Sequence, residues 1–237
     1  MTGERRSIGD LVRLLSLSAR MLAGRRFWVI PIVPLLWTTG AVLFIVFGWH
    51  EDDYVPADAQ NLLIALPLTL LAIGLGVRVV AGEIDRRTLE IAYTVPGGAH
   101  RVWLAKLAAA ALLLFVAELP LAGATYLFCS EYPLGALYGA LQAATFYLVL
   151  AMALSTLFRS EAAGALVTAA LLVVIFPFQQ SDVRLSPFWN PVKLVEADPE
   201  QILAWTTQNR IGFALAIAAL VVLAFGRAEN RESLLSG

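Results

Sequence analysis

Six long blocks of apolar residues constrain this chain more than any other feature of its sequence. Crossing a bilayer core of roughly 30 Å takes about 20 helical residues, and all six blocks reach or approach that length. The chain is 59% hydrophobic and 15% charged, whereas soluble domains average about 45–50% apolar and about 25% charged residues. Because the blocks lack the alternation of barrel strands, we predict helices. The predicted spans are 27–48, 61–81, 102–128, 134–157, 162–178 and 203–226.

The basic residues predict how these spans are oriented. Nearly all of the 17 Lys and Arg residues lie before span one, between spans two and three, between spans four and five, or after span six. Arg78 and Lys106 lie within the ends of spans two and three that face this connection, and the exceptions are Arg184, Lys193 and Arg210. By the positive-inside rule, both termini are then cytoplasmic. We therefore expect a single-domain, multi-pass, all-α membrane protein of the cell (plasma or inner) membrane.

Residues 1–26 precede the first span and predict an amphipathic interfacial helix. Ile8, Leu11, Leu15 and Leu22 fall near one helical face, and basic residues lie largely elsewhere. Such a helix lies along the inner leaflet with its basic side toward the lipid headgroups. A solvated basic tail that only sets the topology is the alternative.

The loop between spans five and six is predicted to lie outside, as short, broken, partly membrane-dipping helices. Aromatic residues such as Phe188, Trp189 and Trp205 are expected at the membrane interface. Asp198 is predicted to cap a helix that begins at Pro199, with Gln201 completing a capping box.

Polar residues inside the spans are the candidates for a translocation path. Glu118 lies near the middle of span three, where a carboxylate is costly and usually faces the bundle interior or a wet cavity. It either lines a path or is a structural, hydrogen-bonded group beside Pro120. Gln142 of span four is its predicted partner. Arg210 is expected to snorkel outward from span six.

Spans three and four are rich in small residues. Gly135 and Gly139 form a G-x-x-x-G pattern at the outer start of span four. This spacing lets two helices approach closely, either within the chain, which is the default interpretation, or between two copies.

The chain lacks the motifs that would make it an enzyme. It has no P-loop, because neither of its lysines, Lys106 and Lys193, follows a glycine-rich turn. By the predicted topology, His50 and His100 lie on opposite sides of the membrane and cannot share a metal. We expect no catalytic residues, no metal site and no nucleic-acid partner.

The connection between spans two and three, GEIDRRTLEIAYTVPGGAHRVWLAK, carries far more charge than a simple turn needs. We predict a helix over 83–96, in which Ile84, Thr88, Ile91 and Val95 line one face. Oppositely charged pairs support it at i,i+4 spacing, and Pro96-Gly97-Gly98 ends it. A charged, amphipathic helix beneath the membrane suits docking to a cytosolic partner.

This stretch resembles the cytoplasmic coupling region of ABC transporter permeases of the type-2 exporter class. The resemblance rests on an acid at Glu83, the core Thr88-Leu89-Glu90, Pro96 six residues later, and Lys106 ten residues after that. Arg87 stands where the family has glycine, and the basic residue that follows the proline is displaced to Arg101. The order of amphipathic helix, six spans, coupling helix and broken outer segment extends the resemblance over most of the chain.

The resemblance implies a permease subunit that pairs with a second permease copy or homologue and with cytosolic ABC ATPase subunits, which bind the ATP and Mg. This chain would itself hold no cofactor. The implied docking residues are Glu83, Arg86, Arg87, Thr88, Leu89, Glu90 and Pro96. A non-transporting membrane anchor or scaffold for an ATPase is an alternative, and an integral-membrane enzyme is a weaker one. Neither the substrate nor the choice of homodimer or heterodimer follows from the sequence.

Overall fold

All regular structure in the described part of the chain is helical. The computed structural model describes residues 2–49, 54–85, 99–177, 184–194 and 198–229. These ranges contain no strand, in agreement with the predicted all-α class. The helices are α1 (Thr2–Ala23), α2 (Leu35–Val46), α3 (Pro56–Gly76), α4 (Ala81–Asp85), α5 (Ala99–Phe128), α6 (Gly135–Phe158), α7 (Glu161–Ile175) and α8 (Pro199–Glu229). Short 3-10 turns cover Phe27–Ile32 and Pro191–Lys193.

Five helical segments among these ranges are long and apolar enough to cross a membrane. They are Phe27–Val46, Pro56–Gly76, Ala99–Phe128, Gly135–Phe158 and Pro199–Glu229. The predicted fifth span, 162–178, overlaps α7, whose 15 residues reach only about 22 Å at 1.5 Å per residue. The described chain thus has five helices long enough to span a membrane and one shorter apolar helix, which indicates a membrane protein.

Helix α6 lies at the centre of the bundle and packs against α3, α7 and α8. Glycine makes two of these contacts possible. A Cβ on Gly76 would overlap the carbonyl oxygen of Leu148, and one on Gly164 would overlap the backbone of Ser155. Helices α6 and α7 therefore form a tight hairpin, which turns at Arg159 in the left-handed region (φ 56°).

The bundle has two ends, which we name by what lies there. At the α1 end, the Arg78 side chain donates a hydrogen bond to the carbonyl of Leu22 in α1. At the loop end, the Asn190 side chain donates to the carbonyl of Ala57, at the start of α3. Helix α3 therefore runs from the loop end to the α1 end.

Helix α3 is wide over its first third because Ala59–Ala65 forms a π-helix. Pro67 follows two residues later, and its ring cannot accommodate the carbonyl of residue 63 in a regular helix. Wider turns of this kind are one way for a helix to absorb the conflict. Gln60 and Asn61 lie in this segment and are buried.

The predicted N-terminal helix is confirmed over Thr2–Ala23. It packs against α5, and Leu22 is fully buried there. Leu14, Leu17 and Met21 are exposed, so an apolar strip remains open to the surroundings. These residues are not those of the predicted apolar face, since Leu15 and Leu22 pack into the bundle, and the interfacial position stays a prediction.

The loop between α7 and α8 differs from expectation in one respect. Asp198 caps α8 as predicted, and its carboxylate accepts a hydrogen bond from the Glu200 N–H at 3.2 Å. Phe188 and Trp189, however, are buried in protein rather than at a lipid interface. Phe188 contacts the rings of Tyr147 and Phe176 because the loop folds back onto α6. Hydropathy alone does not distinguish burial in protein from burial in lipid.

Gly76→Ala tests the close contact between α3 and α6. We expect a loss of roughly 1–3 kcal/mol of stability, because the new methyl group forces the two backbones apart. Gly74→Ala is the matched control, since a Cβ at Gly74 meets nothing within 4 Å. The control should be neutral or slightly stabilising. Thermal unfolding of both variants in detergent measures the difference, and equal stability would contradict this account of the packing.

Candidate functional site

A buried ion pair joins the two ends of the connection between α3 and α5. The Lys106 ammonium lies 2.5 Å from Glu83 Oε1, and the Trp103 indole N–H donates to Glu83 Oε2 at 3.0 Å. Lys106 also donates to the Val79 carbonyl at 3.5 Å. Glu83 and Lys106 are 8% and 5% exposed, and Trp103 is fully buried. Both carboxylate oxygens of Glu83 thus bind donors from α5. We call these three residues the base clamp.

The local sequence explains why the base clamp forms. Trp103 and Lys106 are three residues apart on α5 and so lie on one face of the helix. A four-residue turn after α3 and the short helix α4 bring Glu83 to that face. The Trp103 ring also packs against Phe225 of α8, with ring centroids 5.8 Å apart. A carboxylate in this setting is stable only because two donors satisfy it.

A second set of contacts ties α4 to the start of α7. The Asp85 carboxylate accepts a hydrogen bond from the Glu161 N–H at 3.0 Å, where an acid suits the positive end of a helix dipole. Arg78, which also binds the Leu22 carbonyl, lies 3.8 Å from the Glu161 carboxylate. A Cβ on Gly82 would lie 2.9 Å from Glu161 Oε1, so glycine permits this approach.

Together these contacts make α4 a rigid junction rather than a free linker. It is covalently continuous with α3 and is tied non-covalently to α5 and α7, while the preceding turn is tied to α1. A displacement of α4 must therefore displace several helices or break the buried base clamp together with the more exposed contacts to α7 and α1. Buried, fully satisfied polar networks resist such breakage.

The predicted docking residues divide between this junction and a stretch that is not described. Glu83 is in the junction, and its carboxylate points into the chain, so a direct contact with a partner would require breaking the base clamp. The predicted coupling helix over 83–96 begins within α4, which starts two residues earlier, at Ala81. The remaining docking residues, Arg86, Arg87, Thr88, Leu89, Glu90 and Pro96, lie outside the described residues.

Glu118 occupies the interior of α5. It is 3% exposed, and its Oε1 has no hydrogen-bond partner within the part of the chain that the structure describes. Tyr132, beyond the end of α5, donates to the Ala122 carbonyl one turn away. Burial raises the pKa of the Tyr132 phenol, and the charge of Glu118 adds to the rise. Glu118 is thus an under-satisfied buried carboxyl group that lies toward the loop end.

Gln142 has different partners from the one predicted. Its Nε2 donates to Asn209 Oδ1 at 3.1 Å, and its Oε1 accepts from the Arg210 guanidinium at 3.1 Å. Both partners are on α8, so the expected hydrogen bond to Glu118 is not the one that forms. Arg210 is half-buried against α6, with its guanidinium 4.7 Å from the centre of the Tyr138 ring.

Of the two glycines in the G-x-x-x-G pattern on α6, Gly139 makes close contacts with other helices of this chain and Gly135 does not. A Cβ on Gly139 would lie 2.6 Å from the Gln60 amide nitrogen and 3.1 Å from Arg210, whereas a Cβ on Gly135 meets nothing within 4 Å. Gly139 thus admits polar side chains from α3 and α8 beside α6.

Some residues of the junction escaped sequence reasoning. Arg78, Asp85 and Glu161 come together only in the folded chain, and their sequence separations give no signal. The pairing of Glu83 with Lys106 had one available signal, since both belong to the motif quoted above and Trp103 lies one turn before Lys106.

Comparison with known proteins identified no relative of this chain. No protein-family model, curated protein or solved structure matches the chain. The functional argument therefore rests on the site and on the sequence motif.

Breaking the base clamp on one side should be more harmful than removing it altogether. Glu83→Gln or Lys106→Met alone is expected to cost about 3–5 kcal/mol, because the remaining charge is left buried without its counter-ion. The double variant Glu83→Gln/Lys106→Met should recover part of that loss. Denaturant or thermal unfolding of all three in detergent measures the coupling.

The exposed pair of His100 and Glu229, 3.8 Å apart, provides the control. Glu229→Gln should change stability by no more than about 0.5 kcal/mol. Additive effects of the two clamp substitutions would show that Glu83 and Lys106 do not act as a pair.

Proposed function

We propose that this chain is the membrane permease subunit of an ATP-driven ABC exporter of the type-2 class. In this proposal, a separate cytosolic ATPase binds ATP and Mg, and the chain couples hydrolysis to export across the cell membrane. The α1 end, with both termini, faces the cytoplasm, as the distribution of basic residues favours.

The base clamp is the observation that carries the proposal. The motif that suggests a coupling region includes an acid at Glu83 and a lysine at Lys106, 23 positions apart, and these two side chains form a buried ion pair. The pair joins the last turns before the connection to the first turns after it. A docking helix held in this way can transmit force, whereas one on a loose loop cannot.

The proposed coupling step follows from the contacts of the junction. An ATPase that grips residues 86–96 and then closes would pull on α4. Through Glu83 the pull reaches α5, and through Asp85 it reaches the start of α7. These helices then rock between inward-open and outward-open arrangements. In this scheme Glu83 anchors the coupling helix, and Arg86, Arg87, Thr88, Leu89 and Glu90 make the contact.

Glu118 is the proposed polar group of the translocation path. None of the described residues hydrogen-bonds its buried Oε1, as a purely structural role would require, and intramembrane carboxylates of this kind mark substrate or ion routes. We place Gln142 beside the path and not in it, because its amide group already forms hydrogen bonds with Asn209 and Arg210.

A membrane scaffold that recruits an ATPase without transporting anything would use the same junction. The two functions differ in whether the helix bundle moves a substrate across the membrane. Substrate-stimulated ATPase activity of the reconstituted complex supports the exporter, and basal ATPase activity that no cargo changes supports the scaffold. An integral-membrane enzyme is disfavoured because an active site needs several polar catalytic residues together. The sequence predicted one carboxylate, Glu118, inside the spans.

Site-specific photocrosslinking tests the docking surface directly. A photoreactive amino acid at Leu89 should crosslink to a cytosolic protein that carries a P-loop, because Leu89 lies in the proposed contact. The same amino acid at Leu134, which is 84% exposed at the other end of the bundle, is the control and should not do so. Mass spectrometry identifies the crosslinked chain. A P-loop protein that crosslinks equally to both positions, or to neither, would refute the proposal.

Charge reversal at Arg87 and Glu90 together should weaken ATPase association and abolish ATP-dependent transport. The chain itself should remain folded, since neither residue belongs to the base clamp. Co-purification of the ATPase and transport into inverted vesicles measure the two effects. Intact association and intact transport would show that these residues do not form the contact.

Glu118→Gln should lower export in reconstituted vesicles and remove its dependence on pH, because the amide is similar in shape but cannot exchange a proton. Thr125→Val, on the same buried face of α5, is the control for packing. Full transport by Glu118→Gln at every pH would leave Glu118 a structural group.

A further inference from the structure

Arg210 lies where the apolar core of α8 begins. The uninterrupted apolar run of this helix covers 211–225, immediately after it. The predicted span 203–226 places Arg210 two turns inside the membrane on the loop side, a depth from which a long side chain can extend to the headgroups. A guanidinium at this depth has lipid headgroups within reach.

A relay of hydrogen bonds fixes the direction of this guanidinium. The Asn209 amide donates to the carbonyls of Arg184 and Ser186, at 2.8 and 2.9 Å. Its Oδ1 is thereby turned toward Gln142 and accepts from the Gln142 amide nitrogen. Gln142 Oε1 is then left to accept from Arg210 at 3.1 Å. The loop thus sets the orientation of Gln142, and Gln142 holds Arg210 against α6.

The partners that hold Arg210 are neutral. Among the described residues, no carboxylate lies within ion-pair distance of it, and its contacts are the Gln142 amide oxygen and the face of the Tyr138 ring. A guanidinium has five N–H donors, so several remain for another acceptor. A half-buried cation with neutral neighbours favours an anion beside it.

A cavity of about 180 Å³ opens beside the guanidinium, between α6 and α8. Arg210, Tyr138, Leu141 and Gln142 line it at the loop end, and Thr145, Ala214 and Ile217 line it farther along. Both helices start at the loop end, so the cavity runs from the charged group toward the bilayer centre. It has a polar, cationic mouth and a floor that is apolar apart from Thr145.

We propose that this cavity binds one anionic membrane phospholipid. The phosphate would accept hydrogen bonds from Arg210, and the first part of an acyl chain would lie along Leu141, Ala214 and Ile217. Charge complementarity supplies the headgroup preference, and the apolar walls supply the preference for a lipid over a free anion. The site does not rest on the exporter proposal, because it needs neither an ATPase nor a cargo.

Native mass spectrometry of the full-length protein tests the site. Phosphatidylglycerol and phosphatidylcholine of the same chain length are titrated onto protein purified in an uncharged detergent. The wild type should bind one phosphatidylglycerol about tenfold more tightly than phosphatidylcholine, which corresponds to about 1.4 kcal/mol. Arg210→Gln should lower the phosphatidylglycerol affinity to the level of phosphatidylcholine. Arg210→Lys should keep part of the preference, because it keeps the charge.

Arg184→Gln is the matched control. Arg184 is an exposed arginine at the same end, stacked on Trp205 at 3.8 Å and outside the cavity, so its loss should leave binding unchanged. An equal loss in the Arg184 and Arg210 variants, or no preference in the wild type, would overturn the proposal. Displacement of the bound lipid by millimolar inorganic phosphate would also overturn it, in favour of a free-anion site.

Ala214→Leu keeps the test decisive even if Arg210→Gln does not fold. Ala214 is exposed, so the larger side chain fills the cavity floor without disturbing the relay. Phosphatidylglycerol binding should fall severalfold while thermal unfolding stays unchanged. Unchanged binding in this variant would remove the cavity from the proposal.

Discussion

The ion pair between Glu83 and Lys106 is the interaction on which the α1 end of this molecule depends. It joins the turn after α3 to the first turns of α5, and Trp103 completes it from the same helix face. A buried charge is tolerated only when its partner and its remaining hydrogen bonds are present. The positions of α4 and of the two ends of the connection therefore depend on this contact, whereas Asp85 and Arg78 hold the start of α7.

The loop end is organised differently, by small residues and neutral polar groups. At this end Gly139 lets neighbouring side chains approach α6 more closely than a Cβ would allow, as Gly76 and Gly164 do for backbone contacts nearer the α1 end. The space beside Gly139 admits Gln60 and Arg210, and the aromatic loop covers the same region with Phe188 and Trp189. Hydrogen bonds from Asn209 and Gln60 to loop carbonyls then hold the loop against the bundle. Small side chains thus create the room in which the polar relay forms.

The predictions that agree with the structure are those that depend only on residues close together in the sequence. The helix before the first span, the cap at Asp198 and the long apolar helices all follow from residues within a few turns of one another. The partner of Gln142 and the surroundings of Phe188 and Trp189 differ from expectation, because each depends on a neighbour far along the chain. A polar residue in an apolar helix indicates that a partner is needed, but not which helix supplies it. An aromatic residue in a loop is equally at home in lipid and in protein.

The sequence by itself determined the class of this protein: an all-helical chain with spans set by bilayer thickness and a charged connection between two of them. These properties depend on hydropathy and helical periodicity, which are local. Only the tertiary structure decided that Glu83 points inward to Lys106, that α4 is tied to α7, and that Arg210 faces a cavity rather than solvent. Those outcomes depend on which helices meet, because a buried charge takes whatever partner the packing brings within hydrogen-bond distance.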